Sequence, residues 1–151
     1  MSISGNIPPD IQKDIYRKSI TVGDVFLKEF ENIDHKKLFI IAGISNDKMY
    51  ICSIFINSRI HPLQNKPKLL KLQIPLLKSR NSFLEHDSHA NCSYPIKLDT
   101  EQIISGIING SCRVIGRICD EDLRFIQHAL IHSELLTTEE IELYFNAESD
   151  L

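Results

Sequence analysis

Seven basic side chains, Lys48, Arg59, Lys66, Lys68, Lys71, Lys78 and Arg80, occupy residues 48–84 without one acidic residue among them. Cations at that density suit a polyanion, because each can neutralise a phosphate. The flanks are acidic. Residues 1–47 hold six Lys/Arg against seven Asp/Glu, and residues 85–151 hold four against thirteen. The three segments therefore carry −1, +7 and −9, and the net charge of −3 hides a segregated pattern. The same cations have a second possible use, internal pairing with the acidic C-terminal third.

Other groupings are weaker. His86, His89 and Cys92 have spacings that could suit zinc. In a strand, however, His86 and His89 point to opposite faces, and no fourth ligand is evident. His128 and His132 stand one helical turn apart on a polar face and read as surface histidines. Asp87-Ser88-His89 contains triad residue types, but a triad is recognised by geometry and not by adjacency. No glycine-rich phosphate loop is present. No metal and no cofactor is expected. Four cysteines, Cys52, Cys92, Cys112 and Cys119, read as reduced thiols of a cytoplasmic protein, since the N-terminus lacks a secretion signal.

These residues need elements to position them. A chain of 151 residues, 42% apolar and 25% charged, is expected to form one soluble domain, with no run long enough to span a membrane. Pro8-Pro9-Asp10 followed by Ile11, Ile15 and Tyr16 predicts a helix over residues 8–19. Residues 25–30, 38–44 and 49–56 predict strands, the last two joined as a hairpin through Ser45–Lys48. Residues 57–67 have loop chemistry. Residues 69–75 predict a strand that Pro75 ends or confines to an edge, with further strands at 82–85 and 94–98. A helix capped by Asp99 or Thr100 runs to Gly110, with Gly106 weakening it by about 1 kcal/mol relative to alanine. A strand at 112–118 leads to a helix opened by Asp120-Glu121-Asp122 with Leu123, Ile126, Leu130 and Ile131 on one side. A last helix starts at Thr137–Glu140, and the tail 146–151 is polar and expected to fray. Strands grouped early and helices late favour an α+β fold, read as a small, strongly bent antiparallel barrel with packed helices, the C-terminal helices longest.

The order of motifs resembles the PemK/MazF (Kid-like) toxin family. Gly23-Asp24-Val25-Phe26-Leu27 looks like that family's opening Gly-Asp-Ile/Val strand, and Lys36-Lys37-Leu38-Phe39-Ile40-Ile41 its second strand. Phe55-Ile56-Asn57-Ser58 stands where the family has Pro-aliphatic-Thr-Ser. Lys97-Leu98-Asp99, then Val114–Ile118, then Asp120–Leu123, look like its closing segment. The resemblance covers roughly residues 23–131, with residues 1–22 an N-terminal extension and 137–151 a C-terminal helical extension of a single domain over 1–151. It implies an SH3-like barrel, often dimeric, and an endoribonuclease of a toxin–antitoxin system, with RNA and a protein antitoxin as partners.

The family's active arginine corresponds to Lys37, which keeps charge but loses the bidentate fork. Its threonine corresponds to Asn57, and its serine to Ser58. A later functional position falls at Asp87 or at Ser93, depending on the gap. Cleavage by the RNA 2′-hydroxyl needs a proton acceptor, a proton donor and cations on the phosphate. The resemblance thus gives Lys37, Asn57, Ser58 and Asp87 as catalytic candidates. Asp87 would accept a proton, and Lys37 and Arg59 would hold the phosphate, with no donor identified. Arg59, Lys66, Lys68 and Lys71 are the nucleic-acid-binding candidates. The alternative is a catalytically inactive barrel that binds protein or nucleic acid. If the acidic C-terminus shields the basic segment, deleting residues 137–151 is expected to raise nucleic-acid affinity.

Overall fold

The computed structural model describes residues 7–28, 37–60, 62 and 66–145. The chain begins with helix α1 (Pro9–Ser19), where Pro9 supplies a preset φ at the first helical position and Asp10 and Arg17–Lys18 complement the two ends of the dipole. Arg17 pairs with Glu101, which ties α1 to a later helix. Strands β1 (Asp24–Lys28), β2 (Lys37–Ile44) and β3 (Tyr50–Asn57) follow as an antiparallel meander. The β2–β3 hairpin was expected from its two β-branched runs. Its turn is held by Ser45 Oγ, which accepts from the backbone N–H groups of Met49 and Tyr50. The predicted extension of β1 to residue 30 lies outside the described residues.

Beyond β3 the chain departs from two expectations. Residues 67–70 form a helical turn, α2 (Pro67–Leu70), and the strand β4 is confined to Gln73–Leu76. Pro67 opens the turn, and the Lys66 carbonyl accepts from Leu69 and Leu70 N–H at 3.0 and 2.7 Å. Residues 82–85 make turns instead of a strand. The reason is Asn81, which donates to Asp122 (2.8 Å) and accepts from Cys119 N–H (2.9 Å), so this segment is pinned to the start of a helix and has no ladder to join. The strand comes later, as β5 (Ser88–Asn91).

Strand β6 (Ile96–Asp99) then leads into α3 (Thr100–Asn109), through a reciprocal cap in which Gln102 and Asp99 satisfy each other's backbone N–H groups. Gly110 ends α3 at φ 85°, the left-handed conformation a helix stop requires. β7 (Cys112–Arg117), α4 (Asp120–Ile131) and α5 (Thr138–Phe145) complete the chain. α4, at 12 residues, is the longest helix, but α1 at 11 exceeds both α3 (10) and α5 (8), so length is not concentrated at the C-terminus.

All strand pairings are antiparallel, in the order β4-β5-β3-β2-β1-β7, and β6 pairs with the first half of β3. The fold is α+β, as expected, but the sheet is not closed into a barrel: β4 and β7 form its two ends. Pro75 in β4 cannot donate to a further strand, which suits that strand to an edge. Register shifts at Val25/Phe26 and Ile41/Gly43 mark bulges, which bend a sheet.

The sheet is buried on both faces. Val25, Ile40, Ala42, Ile54, Ile56 and Ala90 pack with Leu123, Ile126 and Leu130 of α4 and Tyr144 and Phe145 of α5. Gly43 permits this approach, since a Cβ there would lie 2.7 Å from the Phe145 ring. On the other face Phe26, Phe39, Ile41 and Ile51 pack with Ile20 and with Ile103 and Ile104 of α3. The four cysteines are free; burial pushes the Cys52 and Cys92 thiols up to about 12 and Cys112 to about 11. Among the described residues no helix is long and apolar enough to cross a membrane.

Candidate functional site

The face packed on α3 continues past that helix into a polar row. Register places Cys112 opposite Lys28 and Lys28 opposite Lys37. Lys37 Nζ donates to Asn57 Oδ1 at 3.1 Å across β2 and β3. Asn57 stands opposite His89, and His89 opposite Pro75. Residues directly opposite in an antiparallel pair share a face. Lys37, Asn57 and His89 therefore present side chains side by side from three adjacent strands.

Each member is fixed by what the strands dictate. Lys37 begins β2, and its ammonium also lies 5.7 Å from the centroid of Phe55, two residues before Asn57 and so on the same face. An ammonium only donates, so its bond to Asn57 orients the amide with Oδ1 inward and leaves the Asn57 NH₂ as a donor. Lys37, Asn57 and His89 are all half-buried. Among the described residues His89 Nδ1 is buried and has no hydrogen-bond partner, whereas Nε2 is not among the buried unpartnered atoms. The row thus sets ammonium, amide and imidazole groups side by side on three adjacent strands.

Further along the same face lies a closed polar cluster. Gln73 Nε2 donates to Asn91 Oδ1 (2.9 Å) and Ser93 Oγ (3.2 Å), and the Ser93 hydroxyl donates to Asn91 Oδ1 at 2.5 Å. Ser93 is therefore held in this cluster, next to the row.

The other anticipated residues are distributed more widely. Ser58 and Arg59 sit on the exposed bend after β3. Asp87 is exposed just before β5, and its Oδ1 accepts the Lys78 backbone N–H at 2.8 Å. Lys66, Lys68 and Lys71 are exposed on and around α2. The remaining basic residues of the acid-free stretch are engaged within the chain. Lys48 Nζ donates to the carbonyls of Lys18 and Ile20, and Lys78 Nζ to that of Leu84. Arg80 pairs with Asp122 at 2.8 Å and Glu121 at 3.0 Å. No ion pair among the described residues involves Arg59, Lys66, Lys68 or Lys71.

Neither the spacing of His89 to Cys92 nor its adjacency to Asp87 and Ser88 shows that it stands beside Lys37 and Asn57; only the β3–β5 register does. Cys92 lies in the core on the α4–α5 side of the sheet, away from the row, and among the described residues no three His, Cys, Asp or Glu side chains are grouped to hold a metal. The His128 and His132 rings lie 4.3 Å apart on exposed positions of α4 and its cap, remote from the row in sequence and element.

No family model matches the sequence, and no curated protein matches it. Among solved structures the chain is similar to the Mycobacterium tuberculosis toxin MazF-mt6, with 11% identity and a TM-score of 0.50 over 76% of this chain and 98% of that one. At that identity the likeness is one of fold: the chain has the α+β, antiparallel architecture of a MazF toxin.

Proposed function

We propose that the chain is a divergent toxin-like endoribonuclease of a toxin–antitoxin system, acting on RNA in the cytoplasm and held in check by a protein antitoxin, with a homodimer as the working form. The observation that carries this reading is the Lys37–Asn57 hydrogen bond across β2 and β3, which assembles two residues of separate motifs into one solvent-facing donor group. In the reaction the 2′-hydroxyl attacks the adjacent phosphorus, the bond to O5′ breaks, and O5′ takes up a proton from water, so that a 2′,3′-cyclic phosphate and a 5′-hydroxyl result. Lys37 and the Asn57 NH₂ would stabilise the charge that builds on the phosphoryl oxygens. Asp87 is the proposed acceptor of the 2′ proton through Oδ2, since Oδ1 holds Lys78 N–H. Ser58 and Arg59, on the bend after Asn57, would contact the sugar–phosphate chain, and Lys66, Lys68 and Lys71 would track the backbone further along.

A second reading, a catalytically inactive module that binds RNA or protein, draws on the lysine itself. Its ammonium cannot clamp a phosphate with a planar fork, and one of its three donors is already taken by Asn57. Incubation of purified protein with mixed-sequence RNA separates the two. The nuclease reading expects defined cleavage products, and Lys37→Ala lowers the rate by roughly 10²-fold, the size of one lost oxyanion donor. Absence of cleavage, or an equal rate in Lys37→Ala, rules it out in favour of the binding module.

A further inference from the structure

We infer that His89 is a fixed hydrogen-bond donor to a phosphoryl oxygen of the RNA, and not the proton shuttle its residue type suggests. The inference rests on the ribonuclease reading and deepens it at the same site. Register puts His89 on β5 directly opposite Asn57, whose amide is already oriented by Lys37. Directly opposed residues have Cβ atoms roughly 5 Å apart, so one oxyanion can meet both side chains.

The ring's tautomer follows from its surroundings. Nδ1 is sealed and without a partner. Either tautomer leaves Nδ1 unpaired, but an orphaned buried N–H is the rarer case than an under-satisfied acceptor, which places the proton on Nε2. Acid–base exchange at Nε2 would require Nδ1 to carry a proton through the cycle, in a position that nothing accepts. A donated hydrogen bond from Nε2–H requires no such change. The neighbouring groups fit this role. Lys37 continues the row on β2 and supplies positive charge, while β4 on the other side contributes the uncharged Gln73 and Pro75. His86 and Asp87 are titratable and exposed in the segment leading into β5, and His86 Nδ1 faces Ser88 Oγ at 3.4 Å. No bond to hydrogen is broken at His89 in this scheme; it lowers the charge developing on the phosphoryl oxygen while the 2′-oxygen attacks and O5′ departs.

Three variants of the full chain test the assignment. Glutamine can place an N–H close to the position of the imidazole Nε2–H but cannot exchange a proton as imidazole does. His89→Gln should cleave RNA within about 10-fold of the parent, while His89→Leu and His89→Ala lose roughly 10²- to 10³-fold in kcat, the range for one oxyanion donor. Thermal melts of each variant separate loss of folding from loss of chemistry. If His89→Gln falls as far as His89→Leu while remaining folded, His89 is an acid–base group and the inference is wrong. It is equally wrong if all three variants cleave like the parent. A parent protein that does not cleave RNA removes the ribonuclease reading as well. An affinity measurement with RNA carrying 2′-deoxy sugars then decides whether the donor role survives as binding: Gln retained and Leu weakened supports it, and equal affinity ends it.

Discussion

A single methyl group separates opposite outcomes at Gly106. Helix propensity alone favours alanine there by about 1 kcal/mol, because glycine loses more backbone freedom on folding. The position faces β7, however, and a Cβ on residue 106 would sit 2.7 Å from Cys112 Cβ. Neither atom is the end of a flexible chain, so the strand or the helix must shift. Overpacking of that kind costs about 1–3 kcal/mol and exceeds the propensity gain. Gly106→Ala is therefore predicted to lower stability by up to about 2 kcal/mol in a urea melt, and a stabilised variant would show that α3 and β7 are less closely packed than this. The same dominance of neighbours over type governs the site. Lys37 is an ordinary flexible cation by type, yet Asn57 and Phe55 restrict it to one face and one orientation.

The helices at the two chain ends illustrate how far an element's role can be read in advance. α5 lies in the C-terminal helical extension, whose charges are all acidic, with Glu139, Glu140 and Glu142 within eight residues. Tyr144 and Phe145 complete the core against β2 and β3, and Glu140 joins Lys97 of β6 while capping its own helix with Thr137. Removing residues 137–151 thus takes two aromatic side chains out of the core, about 1.5–3 kcal/mol each. Against a total stability of about 5–15 kcal/mol this is a large fraction, so the truncated chain is predicted to unfold at markedly lower urea. An unchanged urea midpoint would refute that packing. It also means that any gain in RNA affinity by the truncation cannot be read as simple unshielding. The hairpin β2–β3, α3 with its cap and stop, and α4 with its apolar stripe were legible because local pattern and local neighbours decide them. α2 was not, because Leu69-Leu70 reads equally well in strand or helix and Pro67 tipped the balance. β5 was placed too early because the pinning of Asn81 by Asp122 and Cys119 spans some forty residues of sequence. His89 escaped notice for the same physical reason. Its partner in the row lies thirty-two residues earlier on β3, and only the β3–β5 register brings them together.

At the scale of the molecule, the charge segregation of the sequence becomes a sorting of cations by availability. Seven basic residues occupy positions 48–84, but Lys48, Lys78 and Arg80 close turns or pair with α4. Arg59, Lys66, Lys68 and Lys71 are exposed, and no ion pair among the described residues holds them. Six of the thirteen acidic residues that follow lie on α4 and α5, which pack on the opposite face of the sheet from the Lys37 row. The internal pairing that the acidic third could have imposed on the basic stretch is thus confined to Arg80 among the described ion pairs. This sorting sets the salt dependence of binding. For single-stranded RNA each neutralised phosphate contributes about −0.7 to the slope of log affinity against log salt, so the four exposed cations together with Lys37 give about −3.5. Replacing Lys66, Lys68 and Lys71 together by alanine should reduce the slope by about 2, as three counterion-releasing contacts are lost. Replacing Lys78 by alanine should leave it unchanged, because that ammonium already serves the Leu84 carbonyl. Fluorescence anisotropy with a labelled RNA across a salt series measures both. Equal slopes in the parent and the triple variant would mean that α2 does not meet the phosphate chain. RNA contact would then be confined to the row that Lys37, Asn57 and His89 form across β2, β3 and β5.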